Sequence, residues 1–191
     1  MRNIIVMIDS RNKADVVTVD SDLAVDIQYA IENVSLDTSD EAGDSEEPPN
    51  PQLLTNWAQT AYAAVVSDNK QTPEVTIRIV GNAEMRDLNH QYRGKDKTTN
   101  VLSFPFENEF PSIAEITTHL IGDVVLCHPV IVTEAKLQIK SLQDHYAHMV
   151  THGILHLCGL DHQNDQEAEQ MEAIEAKILS QLNISNPYAV N

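Results

Sequence analysis

The sequence is poor in cysteine, in aromatic residues and in positive charge. Its two cysteines, Cys127 and Cys158, lie far apart and outside any CxxC spacing, which argues against a disulfide framework or a cysteine zinc site. We expect both to be buried, reduced thiols. Only 12 Lys and Arg residues oppose 29 Asp and Glu residues, giving a formal net charge of −17. This excess of negative charge discourages non-specific binding to nucleic acid.

Long apolar runs are also missing. No stretch approaches the roughly 18 apolar residues of a membrane helix, and the run over residues 4–8 is too short for the core of a signal peptide. We therefore expect a cytoplasmic protein without a membrane partner. A length of 191 residues with 42% hydrophobic content favours one domain. We read residues 1–18 as an N-terminal extension and residues 19–191 as this domain, with an acidic flexible loop over about residues 37–50.

The rest of the chain shows clear secondary-structure patterns. Alternating or continuous apolar residues predict strands over residues 23–30, 75–80, 101–104 and 119–127. Helical spacing predicts helices over about residues 51–65, 82–92, 129–140, 141–159 and 165–182. Asn50, Asn82 and Ser141 are the expected N-caps, while Gly94 and Gly159 are expected to end their helices.

Three histidines at metal-ligand spacing are the strongest chemical signal in the chain. His152 and His156 lie four residues apart on a predicted helix, so they differ by only about 40° around its axis and share a face. Gly159 lets the chain turn back, so that His162 can reach the same point as a third ligand. Three protein ligands leave a tetrahedral zinc-type ion one open position for water, as catalytic zinc sites do. A single histidine on an apolar face is more often a core residue, but the third histidine favours a metal.

Two further histidines lie on the same side of this predicted helix. His145 and His148 fall within roughly 60° of the direction of the pair. We weigh simple packing for both against a role behind the ligands or at the substrate, with His148 the better candidate.

The spacing also invites comparison with zincin proteases of the HExxHxxGxxH type. His152, His156, Gly159 and His162 stand at the corresponding places. Those proteases, however, carry their glutamate base at the position that Gly153 occupies here. Peptidase chemistry is therefore disfavoured.

One window of the chain is basic despite the acidic total. Between residues 86 and 97, four bases face the two acids Asp87 and Asp96. The bases are Arg86, Arg93, Lys95 and Lys97. The alternatives are a solvated loop without function and a contact for a phosphate backbone.

Residues 152–162 read HGILHLCGLDH, residues 92–105 read YRGKDKTTNVLSFP and residues 121–127 read IGDVVLC. In these three stretches the sequence resembles the YbeY family, bacterial endoribonucleases also described as rRNA maturation factors. The first stretch fits the family signature H-G-x-L-H-L-x-G-x-D-H in full, and the resemblance covers roughly residues 23–188. The N-terminal extension and the acidic loop depart from the family, and Thr98 stands where we would expect proline.

The resemblance implies an α+β fold with a small mixed sheet packed by helices, and one Zn²⁺ ion on His152, His156 and His162. Nickel or another divalent metal would also suit these ligands. The family resemblance further implies cleavage of single-stranded RNA, maturation of the 3′ end of 16S rRNA and ribosome quality control. It also implies small-subunit ribosomal proteins as partners.

On this reading we predict roles for four other residues. Arg93 would clamp a phosphate, since its fork geometry suits that task. Lys95 and Lys97 would attract the RNA backbone, and His148 would assist proton transfer. Two alternatives stay open: a ribosome assembly factor with a structural metal, and a metallohydrolase that acts on peptides or small molecules.

Overall fold

The structure is a computed structural model that describes residues 23–31, 46–66, 72–106, 119–162 and 164–189. The predicted N-terminal extension, most of the acidic loop and most of the polar segment before residue 119 lie outside the described residues.

The described chain contains four strands and five helices. The strands are β1 (Ala24–Ala30), β2 (Glu74–Val80), β3 (Val101–Pro105) and β4 (Leu120–Cys127). The helices are α1 (Pro51–Val65), α2 (Asn82–Arg93), α3 (His128–Leu137), α4 (Leu142–Leu157) and α5 (Asp165–Gln181). All nine predicted elements are confirmed, with differences of a few residues at their ends.

Most of the predicted helix ends are confirmed, and one is wrong. The side chains of Asn50 and Ser141 accept hydrogen bonds from the first turns of α1 and α4, and Gly94 ends α2 in the left-handed conformation. Asn82, however, is the first residue of α2 rather than its N-cap, because the extended residue Gly81 takes that place. The Asn82 side chain accepts a hydrogen bond from the Cys127 thiol instead.

The four strands form one mixed sheet in the order β1-β2-β4-β3. Strand β2 pairs in parallel with both β1 and β4, whereas β3 is antiparallel to β4. Parallel neighbours need a crossover, which α1 supplies between β1 and β2. The α+β fold with a small mixed sheet is therefore confirmed.

The two faces of the sheet bury different sets of residues. On β4, Val124 and Leu126 belong to the main core with α1, α4 and α5, while Val125 and Cys127 belong to a smaller core with α2. This alternation follows from the period of two along a strand. The sheet thus separates the helix layer that carries the histidines from α2.

Helix α4 lies unusually close to the sheet at one residue. A β-carbon added at Gly153 would lie 2.6 Å from Cγ1 and 3.1 Å from Cγ2 of Val124. The Ser103 hydroxyl donates a hydrogen bond of 3.1 Å to the Gly153 carbonyl. Position 153 therefore faces the sheet, so a glutamate base of the zincin kind would have no room there.

Both cysteines are free, as predicted. Cys127 is buried and Cys158 is partly buried, and burial raises the pKa of both thiols. None of the helices in the described residues combines the length and the apolar character needed to cross a membrane.

We expect Gly153→Ala to lower the free energy of unfolding by about 2 kcal/mol, because the 2.6 Å contact places the cost near the upper end of the usual range. Overpacking typically costs about 1–3 kcal/mol, which exceeds the gain of about 1 kcal/mol that alanine offers inside a helix. Chemical denaturation measures the change. Gln143→Ala, on the exposed side of the same helix, is the control and should change stability by less than about 0.5 kcal/mol. Equal stability of the two variants would contradict the close packing of α4.

Candidate metal centre

After the end of α4 the chain turns back, which brings His162 close to the two histidines of the helix. The Leu160 amide donates to the Leu155 carbonyl over 3.1 Å, and the Gly159 amide donates to the His156 carbonyl over 3.0 Å. These two bonds form a Schellman motif, which needs a left-handed residue after the C-cap. Gly159 fills that position with a φ of +87°. The predicted return of the chain after α4 is thus confirmed.

The three predicted ligands lie together. One nitrogen from each of His152, His156 and His162 lies within 4.8 Å of the others. The ring centroids of His162 are 5.5 Å from His152 and 5.1 Å from His156. The first two side chains are partly buried and His162 is exposed, so the cluster opens towards solvent on the side of His162.

Two of the donor atoms are spaced as two ligands of one metal ion are. The Nε2 atoms of His152 and His156 are 3.1 Å apart, close to the separation of about 3.3 Å that two ligands of one zinc ion have at bond lengths of 2.0–2.1 Å. Burial, and then the charges of His152 and His162, lower the pKa of His156. A neutral imidazole keeps a lone pair for a metal, so this cluster could hold a zinc-type ion.

A buried carboxylate on α5 holds the first histidine. Glu175 Oε1 lies 2.8 Å from His152 Nδ1, and Glu175 is fully buried. Burial alone would raise its pKa, but hydrogen bonds from His148, His152 and Tyr188 outweigh burial and lower the pKa to about 2. The carboxylate is therefore ionised and can accept a hydrogen bond from an Nδ1–H of His152.

The second oxygen of Glu175 has two partners of its own. His148 Nε2 lies 3.3 Å from Oε2 and 3.0 Å from the Tyr188 hydroxyl, and that hydroxyl donates to Oε2 in turn. Among the described residues, the hydrogen bonds of His148 link it to His152 through Glu175. Its Nδ1 has no hydrogen-bond partner in the described part of the chain, and its part in proton transfer stays a prediction.

Sequence reasoning missed Glu175 and Tyr188. Glu175 follows Met171 by four residues and precedes Ile178 by three, so it lies on the face of α5 that was predicted to point inward. Met171 and Ile178 are buried as predicted. The position of Glu175 within the apolar face of α5 was the sequence feature that could have indicated a buried functional carboxylate. Tyr188 lies beyond α5, where no periodicity marks it.

His145 is buried and contacts α3. Its Nε2 lies 2.8 Å from Glu134 of α3, and Glu134 also accepts from the Asn100 amide. Its ring lies 6.3 Å from that of His148, between centroids. His145 thus forms a buried polar contact with α3, and a role for it in the site stays a prediction.

Arg93 is linked to α4, the helix that carries His152 and His156, through one residue of β3. Its guanidinium Nη2 donates over 3.3 Å to the carbonyl of Ser103, and the Ser103 hydroxyl bonds the carbonyl of Gly153, which lies between two of the histidines. Arg93 itself is exposed at the end of α2. The neighbouring Tyr92 is 57% exposed and packs edge-on against Phe104, with centroids 4.9 Å apart.

The basic segment after α2 has a defined conformation. The Lys95 amide donates to the Asn89 carbonyl, and the Asn89 side chain donates to the Lys97 carbonyl over 2.6 Å. Arg86 forms a two-pronged pair with Asp96, so part of the basic charge of this window is neutralised. Lys95 and Lys97 are both exposed. This segment is therefore fixed by its backbone while its lysine side chains face solvent.

Fold and site together define an α+β protein with a three-histidine cluster that could hold a metal, joined through β3 to an exposed arginine. Comparison with known proteins narrows this class. A family profile described as endoribonuclease YbeY matches residues 40–183. The chain therefore belongs to the YbeY family of endoribonucleases.

Individual relatives agree with the family match. Endoribonuclease YbeY of Colwellia psychrerythraea is 51% identical over 140 residues, 73% of this chain and 88% of that protein. Endoribonuclease YbeY of Alteromonas mediterranea is 48% identical over 167 residues, 86% of this chain and 95% of that protein. The solution structure of TM1509 from Thermotoga maritima is 22% identical with a TM-score of 0.49, covering 83% of this chain and 91% of that one.

We expect His156→Ala to abolish binding of one zinc ion per chain. Removal of the central ligand leaves two donors, too few for a tight site. Metal content after dialysis against zinc, measured by atomic emission, tests this. His90→Ala is the control, because His90 is exposed on α2. Retention of a full zinc equivalent by His156→Ala would mean that other residues bind the metal.

Proposed function

We propose that this protein is a zinc-dependent endoribonuclease that cuts single-stranded RNA. The observation that carries the proposal is the three-histidine cluster, open to solvent on one side, in a chain of the YbeY endoribonuclease family. His152, His156 and His162 would hold the ion. When bound, a zinc-type ion supplies Lewis-acid polarisation of water and of phosphate oxygens.

Arg93 would bind the phosphate beside the scissile bond. A guanidinium presents several donors in a planar fork, which matches the oxygens of a phosphate. Its bond to Ser103 and the bond from Ser103 to Gly153 couple its position to the turn of α4 that carries the ligands. Arg93 is exposed and can meet a substrate without unfolding of its surroundings.

Lys95, Lys97 and Tyr92 would extend the RNA contact away from the metal. The two lysines would attract the backbone in a salt-dependent way, which offsets the acidic total locally. Single-stranded RNA also exposes its bases for stacking on aromatic side chains, and Tyr92 presents such a ring next to Arg93.

The expected cellular role is processing of the 3′ end of 16S rRNA and quality control of ribosomes, with small-subunit ribosomal proteins as partners. This role rests on the family resemblance. We also propose that the protein acts in the cytoplasm, because two free cysteines suit a reducing compartment.

Two alternatives predict different behaviour. A ribosome assembly factor with a structural metal would bind zinc and RNA without cutting, and its metal would have a fourth protein ligand. A peptidase of the zincin kind would need a glutamate near the metal-binding turn, and the packing of Gly153 against Val124 leaves no room for a glutamate side chain there. The nuclease proposal therefore has the stronger support.

We expect Arg93→Ala to lower cleavage of a single-stranded rRNA fragment by about 100-fold or more, since the loss of a preorganised charged donor costs about 10²–10³ in rate. Zinc content should stay at one equivalent. Cleavage rate and metal content are measured on the same preparation. Lys177→Ala, which removes one exposed charge on α5, should leave the rate unchanged. Wild-type cleavage by Arg93→Ala would rule out the phosphate role, and absence of cleavage by the wild type would favour the assembly factor.

The double variant Lys95→Ala/Lys97→Ala should bind single-stranded RNA with a weaker dependence on salt. Each phosphate contact on a single strand contributes about 0.7 to the slope of log K against log salt, so loss of two contacts should reduce the slope by about 1.4. Fluorescence anisotropy at several salt concentrations measures the slope. Lys136→Ala/Lys177→Ala removes the same charge elsewhere and should keep it. An unchanged slope in the first variant would identify the segment as a solvated loop.

A further inference from the structure

Glu175 forms hydrogen bonds both to α4 and to the C-terminal segment of the described chain. We propose that Glu175 is a positioning residue that fixes the ring and tautomer of His152 for metal binding, and that Tyr188 and His148 hold Glu175 in place. This inference rests on the metal-binding part of the proposed function. It assigns a role to Tyr188, which lies outside the residues 40–183 that match the family profile.

The two oxygens of Glu175 face opposite sets of partners. Oε1 is 2.8 Å from His152 Nδ1, whereas Oε2 is shared by His148 Nε2 and the Tyr188 hydroxyl. A carboxylate that accepts from Nδ1–H keeps the proton on that nitrogen and leaves the lone pair on Nε2. Nε2 is the atom of His152 that lies 3.1 Å from His156 Nε2. The contact thus selects the tautomer that can bind a metal.

Burial makes this arrangement rigid. Among the described residues, Glu175 is the one acidic residue that is fully buried. A buried carboxylate is costly unless hydrogen bonds satisfy both of its oxygens. The bonds from His148 and Tyr188 satisfy Oε2, so the carboxylate has little freedom to turn away from His152.

Tyr188 is held in position by the segment that follows α5. The Ile184 amide donates to the Leu179 carbonyl over 2.9 Å, and the Tyr188 amide donates to the Asn186 side chain over 2.9 Å. The Lys140 ammonium lies 3.4 Å from the Pro187 carbonyl. The Tyr188 ring packs edge-on against His148, with centroids 5.5 Å apart. The hydroxyl is therefore directed at Glu175 by contacts from both its backbone and its ring.

The tautomer of His152 in metal-free protein tests the proposal directly. Long-range ¹H–¹⁵N spectra of imidazole-labelled protein distinguish protonated Nδ1 from protonated Nε2. We expect wild type to show His152 protonated on Nδ1, and Glu175→Gln to show a mixture or the other tautomer. An unchanged Nδ1–H tautomer in Glu175→Gln, or a wild type protonated on Nε2, would overturn the proposal. Circular dichroism and thermal melting establish that each variant is folded.

Zinc affinity, measured by competition with a chelator, gives the second readout. Loss of such an outer partner of a ligand histidine typically weakens metal binding about 10–100-fold, which we expect for Glu175→Gln. Tyr188→Phe should weaken binding less, by about 2–10-fold, because it loosens Glu175 without removing it. Glu169→Gln on the exposed side of α5 and Tyr29→Phe on β1 are the matched controls and should keep wild-type affinity.

Each outcome decides a different point. Wild-type affinity in a folded Glu175→Gln variant would overturn the positioning role while leaving the proposed nuclease function intact. Wild-type affinity in Tyr188→Phe would overturn the part assigned to Tyr188. A wild type that binds no zinc would instead overturn the metal-dependent function, and the tautomer measurement on metal-free protein would still decide the role of Glu175.

Discussion

The close contact between α4 and the sheet at Gly153 is the constraint on which the site depends. Val124 occupies the space that a side chain at position 153 would need, so the helix approaches the sheet with its backbone. This approach allows Ser103 of β3 to bond the Gly153 carbonyl. The turn that carries His152 and His156 is thereby fixed against the strand that also holds Arg93. One glycine thus sets the position of the histidines relative to the rest of the site.

Polar contacts to Glu175 hold a second side of α4, in addition to the apolar packing of the helix. A fully buried carboxylate in an apolar layer costs stability unless it is fully bonded, and Glu175 is bonded by His152, His148 and Tyr188. Buried polar groups of this kind favour one arrangement of their neighbours, because any other arrangement leaves a charge without partners. The core around α4 and α5 therefore combines apolar burial with one buried carboxylate whose hydrogen bonds require a defined arrangement of its neighbours.

Charge is distributed so that an acidic protein still offers a surface for a polyanion. The formal charge is −17, yet Arg93, Lys95 and Lys97 are exposed within five residues of each other. Interactions with exposed charges fall off over about 8–10 Å at physiological salt. A local group of bases can therefore act on a phosphate backbone while distant acids are screened.

The sequence by itself determined the elements and the three clustered histidines, because these depend on local spacing, and the family resemblance indicated the fold class. Helical period placed His152 and His156 on one face, and Gly159 allowed the return to His162. Only the tertiary structure decided that position 153 faces the sheet, that His145 pairs with Glu134 and that Asn82 lies inside its helix. It also brought Glu175 and Tyr188 to His152 across 23 and 36 residues of chain respectively. Contacts over such separations depend on how helices pack. The periodicity of one helix shows which face is buried but does not identify the segment that packs against that face.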